Sequence, residues 1–139
     1  MNQITLIQCT DSKRVGTHLA RELYDESSYF QAMREWAEYR GDPWYILSAK
    51  YGLLCPNEIV SDYDEMGITP LQAEDIANQI ASANISTVHI TAGRAYTNHL
   101  IPELEKRGID VINHFSGERI GKRKQLLNEA VEDTEQTKL

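Results

Sequence analysis

The sequence predicts an α/β fold, a three-layer α/β/α single domain with a mostly parallel four-stranded sheet. Three observations carry that expectation. Four short apolar, β-branched runs recur along the chain, helix-periodic segments separate them, and each run ends in a polar loop. Strands alternating with helices pair in parallel, because each crossover returns the chain to the same edge of the sheet.

Ile4-Thr5-Leu6-Ile7 is the first buried strand, broken by the polar loop Cys9–Arg14, and Thr17 is placed to cap a helix carrying Leu19 and Leu23. Phe30, Met33, Trp36 and Ala37 lie at helical spacing within a second helix, about 28–40, which Gly41-Asp42-Pro43 stops. Trp44–Leu47 is the second strand, followed by a long loop to Asp64. Thr69-Pro70-Leu71-Gln72 then combines a cap, a proline at the first helical position and a glutamine three residues after the cap. Thr87–Thr91 is the third strand, about 95–106 the next helix, and Ile109–Ile112 the fourth strand. A terminal helix is expected from Arg119 to about Val131. The domain thus spans 1–131, with 132–139 as a frayed polar tail.

The 139 residues suffice for one core, and 41% hydrophobic with 25% charged residues is the balance of a soluble globular chain. No apolar run is long enough to cross a bilayer, and no signal peptide is visible. Cys9 and Cys55 are too few for a disulfide scaffold, so cytoplasmic residence is expected with both as thiols. A formal charge of −7 argues against bulk electrostatic binding of nucleic acid. The charge is uneven, however. No Lys or Arg occurs from Tyr51 to Gly93, whereas Lys13-Arg14 and Arg119, Lys122, Arg123 and Lys124 are clustered cations.

In a parallel sheet the strands' carboxyl ends share one edge, where α/β domains bind ligands. Four loops should meet there, bringing Cys9, Lys13, Lys50, Tyr51, Asp64, Arg94, Tyr96 and His114 together. Cys9-Thr10-Asp11-Ser12-Lys13 sets hydroxyls, a carboxylate and an ammonium before a helix, a place where anions bind. A capped solvent turn explains the same residues. Ser48-Ala49-Lys50-Tyr51-Gly52 offers Lys50 as a clamp on phosphate or a leaving group, against the alternative of a plain surface loop. Asp62-Tyr63-Asp64 could supply a general base, or a carboxylate opposite a sugar cation; equally, an aspartate caps a turn while Tyr63 packs. The scattered histidines lack metal-ligand spacing, and no dinucleotide fingerprint follows the first strand. Neither a metal nor an organic cofactor is expected. His114 is kept as a donor to a departing base.

Cys9-Thr10-Asp11-Ser12-Lys13, Leu23-Tyr24, Ser27-Ser28 with Phe30, Ile46 through Leu54, Pro56, Tyr63-Asp64 and Ala92-Gly93-Arg94-Ala95-Tyr96 together resemble a domain family of unknown function. That family occurs in bacteria, archaea and their viruses, and the likeness runs to about Arg123. Leu47-Ser48-Ala49-Lys50-Tyr51-Gly52-Leu53-Leu54 is also similar to a segment of the YaaA peroxide-stress proteins. This second, shorter resemblance implies DNA binding and protection. By fold analogy the domain resembles uracil-DNA-glycosylase-like proteins, some of which remove modified bases from phage DNA.

The function expected is a DNA glycosylase, an N-glycosidase that flips a modified base out of DNA in antiviral defence. In that reading Asp64, with Asp11 as runner-up, stabilises the sugar cation and orients water, and Lys50 or His114 donates to the base. Tyr51 and Tyr96 stack on the base; Cys9, Ser12, Lys13, Ser48, Tyr63, Gly93 and Arg94 complete the substrate site. Arg119, Lys122, Arg123 and Lys124 hold nucleic-acid backbone. A non-catalytic YaaA-like DNA-binding protein and a free-nucleotide N-glycosidase or deoxyribosyltransferase are the alternatives.

Overall fold

The computed structural model describes residues 2–137, with side chains as far as Glu132. The four apolar runs become β1 (Gln3–Gln8), β3 (Trp44–Ser48), β6 (Thr87–Thr91) and β7 (Asp110–Asn113). They are parallel to one another, with Ile7 opposite Ile46 and Thr91, and His89 opposite Ile112. The central strands are almost wholly buried, as continuous apolar runs require when helices cover both faces.

The main sheet has five strands, not four, because residues 52–54 (β4) join its edge, giving the order β4-β3-β1-β6-β7. The added strand β4 (Gly52–Leu54) runs antiparallel to β3, with Ser48 opposite Gly52. Gly52 has φ +74, a left-handed backbone that reverses the chain where the sequence suggested an extended loop. The rest of that loop is also ordered. β5 (Ile59–Ser61) pairs antiparallel with β2 (Thr17–Leu19) in a separate two-stranded sheet. The helix expected after Thr17 therefore begins as strand, and only α1 (Ala20–Leu23) is helical. Pairing with a distant segment overrides the weak helical signal there: the Ala20 and Arg21 amides donate to Glu58 and Pro56 carbonyls.

The cap expected at Thr69 forms, whereas Thr17 lies in β2 and caps no described helix. Ser27 Oγ accepts from the Phe30 amide at the start of α2 (Ser28–Arg40), and Gly41 closes that helix in the left-handed region. Thr69 and Gln72 form a complete capping box on α3 (Pro70–Ser82). α4 (Arg94–Lys106) follows β6 directly, with Gly93 as its cap. α5 (Ile120–Thr137) begins where expected but continues beyond Val131; residues 138 and 139 of the anticipated tail lie outside the described residues.

α2 packs on α5, and α3 on α4. Right-handed crossovers put these pairs on opposite faces of the sheet, giving three layers around one core that includes Leu6, Ile46, Ile90, Phe30 and Leu100. No described helix is long and apolar enough to cross a membrane. From β1 the chain moves outward to β3, and from β6 it moves outward the other way to β7. The direction of winding reverses between β1 and β6, so their carboxyl ends flank the natural crevice of the fold.

Candidate functional site

At that reversal the loop after β1 is tied to the segment that follows β6. The Gly93 amide donates to Gln8 Oε1 at 2.6 Å, and Cys9 Sγ lies 3.0 Å from Tyr96 Oη. Cys9 and Tyr96 are both buried. Gly67 brings the segment after Asp64 onto α4. A Cβ at this position would meet Ala95 Cβ at 3.2 Å, φ is +78, and the neighbouring Ile68 amide donates to the Ala95 carbonyl.

Around Tyr63 the second loop builds a cluster of phenols. Ser48 Oγ donates to Tyr63 Oη at 2.8 Å and accepts from the Tyr51 and Lys50 amides. Tyr63 Oη shares a 2.7 Å hydrogen bond with Tyr24 Oη. The Tyr51 ring meets Tyr63 edge-on at 5.6 Å between centroids. Tyr51 Oη bridges the backbone of Ser61, which holds β5 against the cluster. Two ammonium groups cap these rings: Lys13 Nζ is 4.4 Å from the Tyr63 centroid, and Lys50 Nζ is 5.4 Å from that of Tyr51. Burial raises the pKa of Tyr24, Tyr63 and Tyr96 above that of an ordinary phenol. They are therefore neutral, buried hydrogen-bonding groups, not bases.

On the other side of the first α4 turn lies a cavity of about 910 Å³. Its walls come from the start of α4 (Gly93, Arg94, Thr97), the end of β7 (Asn113) and the start of α5 (Arg119, Arg123). Arg94 and Arg119 are exposed, but Arg123 is 5% exposed. The Nη1 of Arg123 donates to Tyr29 Oη at 3.0 Å, while its Nε has no partner.

Most of the predicted residues therefore gather, but in two groups. Cys9, Lys13, Ser48, Lys50, Tyr51, Tyr63 and Tyr96 belong to the phenol cluster. Gly93, Arg94, Arg119 and Arg123 belong to the cavity. Asp64 is exposed, next to the anchored Tyr63, and makes no ion pair with Lys13, Lys50 or Arg94 among the described residues. Asp11 and Ser12 are exposed in the first loop, where the Ser12 carbonyl accepts from Thr10 Oγ1. Tyr96 is fully packed, so its expected stacking on a base is corrected to a contact with Cys9. The basic start of α5 does not form one open surface: Arg123 turns inward and Lys124 Nζ bonds Ser28 Oγ, leaving Arg119 and Lys122 in solvent.

His114 is also corrected. Its ring packs against Trp36 at 5.0 Å and stacks on His89 at 5.2 Å. Gln3 Oε1 accepts from His89 Nε2 at 2.9 Å, so His89 Nδ1 is the acceptor for His114 Nε2–H at 3.0 Å. Burial, then the charge of Arg40 and then His89, push the His114 pKa down to about 4. A neutral imidazole whose proton is committed to His89 cannot serve as the acid for a leaving base.

Tyr24, which the sequence offers only as part of the family resemblance, and Tyr29, Gln8 and Asn113 complete these groups. Only the tertiary fold gives the hydroxyls of Tyr24 and Tyr29 their partners. Among the described residues no group of three or more His, Cys, Asp or Glu could hold a metal ion. A family of unknown function, DUF6884, matches residues 4–129, and the chain belongs to it. No curated protein and no solved structure matches the chain.

Proposed function

We propose that this member of a family of unknown function is an N-glycosidase of nucleic acid, a DNA glycosylase for a modified base serving in antiviral defence. The observation that carries the reading is the cluster around Tyr63. Two hydroxyl bonds fix the ring, Tyr51 flanks it, and Lys13 stands over it. Tyr63 itself is buried, so the flipped base stacks on the exposed ring of Tyr51 that Tyr63 fixes, and it accepts from Lys13 or Lys50 beside that ring.

As the bond from C1′ to the base nitrogen breaks, its electron pair leaves with the base and positive charge grows on the sugar. Asp64 follows Tyr63 directly in the chain, so the anchored ring sets where that carboxylate emerges. It stabilises the sugar cation and takes a proton from the attacking water. Lys13 or Lys50 donates to the departing base. Arg94 and Arg119, at the mouth of the adjacent cavity, supply phosphate contacts.

The test uses phage DNA carrying modified cytosines, incubated with protein and then heated in alkali. Cleavage at abasic sites, lost in Asp64→Asn, is the expected result. Intact strands and no free base across several modified DNAs would end the reading. The size of the neighbouring cavity favours one second reading, a free-nucleotide N-glycosidase or deoxyribosyltransferase. Release of base from mononucleotides but not from DNA would select it.

A further inference from the structure

The start of α5 presents an electrostatic contradiction. A helix N-terminus carries a partial positive charge and favours acids. Yet the first turn of α5 contains no acidic residue, and Lys122 and Arg123 stand there with Arg119 just before it. One of these cations is then buried. Arg123 is 5% exposed, no carboxylate lies within ion-pair distance among the described residues, and its Nε has no acceptor. Its one side-chain partner, Tyr29, is kept neutral because burial raises the phenol's pKa. Burying a guanidinium without a counter-charge is costly, and such charges in proteins are normally paired.

The cavity beside Arg123 has the features that would supply the missing charge. The α4 N-terminus borders it, and that helix too has no acid in its first turn and no side-chain cap. Among the described residues the Arg94 and Ala95 amides have no protein acceptor. Asn113 also lines the cavity, with a buried Oδ1 that lacks a partner. A half-turn of that amide exchanges oxygen for nitrogen and makes it a donor. Three guanidiniums, Arg94, Arg119 and Arg123, face a single carboxylate, Glu118. The excess is two positive charges.

We infer that this cavity binds the dianionic phosphate of a phosphomonoester, with Arg123 and Arg119 as its cationic ligands and the α4 amides as donors. A dianion matches the excess charge and offers three oxygens to the converging donors, which a backbone diester does not. The site stands whether or not glycosidic chemistry occurs at the phenol cluster. Its ligand is a terminal phosphate, from a free nucleotide or from the 5′ end of an oligonucleotide.

Calorimetric titration of the full chain with inorganic phosphate, against sodium chloride at equal ionic strength, tests the inference. Saturable one-to-one binding is expected, accompanied by a rise in Tm and by shifts of the Arg94 and Ala95 amide resonances. Arg119→Gln, at an exposed position that does not threaten folding, should weaken binding about tenfold; Arg123→Met should abolish it. Deoxycytidine 5′-monophosphate and a 5′-phosphorylated hexanucleotide then identify the source. No saturable phosphate binding, undiminished binding by Arg119→Gln, or equal displacement of bound phosphate by the unphosphorylated hexanucleotide would overturn the assignment. Asp64→Asn should retain phosphate binding, so failure of this site and failure of the glycosidase reading are told apart.

Discussion

Ser48, Tyr63 and Tyr24 answer one another's hydroxyls at 2.7–2.8 Å, whereas across the first turn of α4 the buried Arg123 leaves its Nε without an acceptor. Both regions are polar groups placed at the same edge of the sheet. In the phenol cluster each hydroxyl has a partner, so the cluster rigidifies the fold and sets the surface beside it. Along the cavity wall Arg123 Nε and the Arg94 and Ala95 amides lack acceptors among the described residues, an arrangement that the inferred anion would complete. Satisfaction marks the scaffold and its absence marks the place for a ligand.

The largest effect expected from the phenol side is catalytic. Asp64→Asn should lower base release roughly 10²-fold or more, the scale of a lost general base, with little change in Tm because the side chain is exposed. Retained activity would show that the cluster is scaffold alone. Next comes stability. Tyr63→Phe removes one hydroxyl and strands two, so chemical denaturation should report a loss of about 1–3 kcal/mol. Gly67→Ala should cost a similar amount, roughly 1–3 kcal/mol, because φ +78 and the contact with Ala95 both oppose a Cβ.

The cavity side should behave in the opposite way. Arg119→Gln should leave stability without ligand within about 0.5 kcal/mol of the parent, since its side chain is exposed. A large loss would mean that the cavity's cations are structural, and the contrast between the regions would fail.

His114 provides a control outside both regions. Its pKa falls from 6.5 unfolded to about 4 folded, so the unfolded chain binds the extra proton first. The contribution to stability is whole above pH 6.5, declines as pH falls toward 4 and is flat below. Melting curves across that window should show a steeper fall in Tm for the parent than for His114→Gln, by a few degrees.

Local chemistry alone determined much of this molecule. The apolar runs at 4–7, 44–47, 87–91 and 109–112 read as strands, the last an edge strand with Ile112 exposed, and the caps at Ser27 and Thr69 started helices because their partners lie within three residues. The polar loops were legible as one shared edge of the sheet, since parallel strands must end together. Tertiary structure alone decided the pairing of β2 with β5, the reversal at Gly52 that makes β4, and the inward turn of Arg123. It also sent His114 to Trp36 and His89 and parted the site residues into two groups. These outcomes depend on contacts between segments distant along the chain, and periodicity, capping and spacing carry no information about which distant partner a side chain will meet.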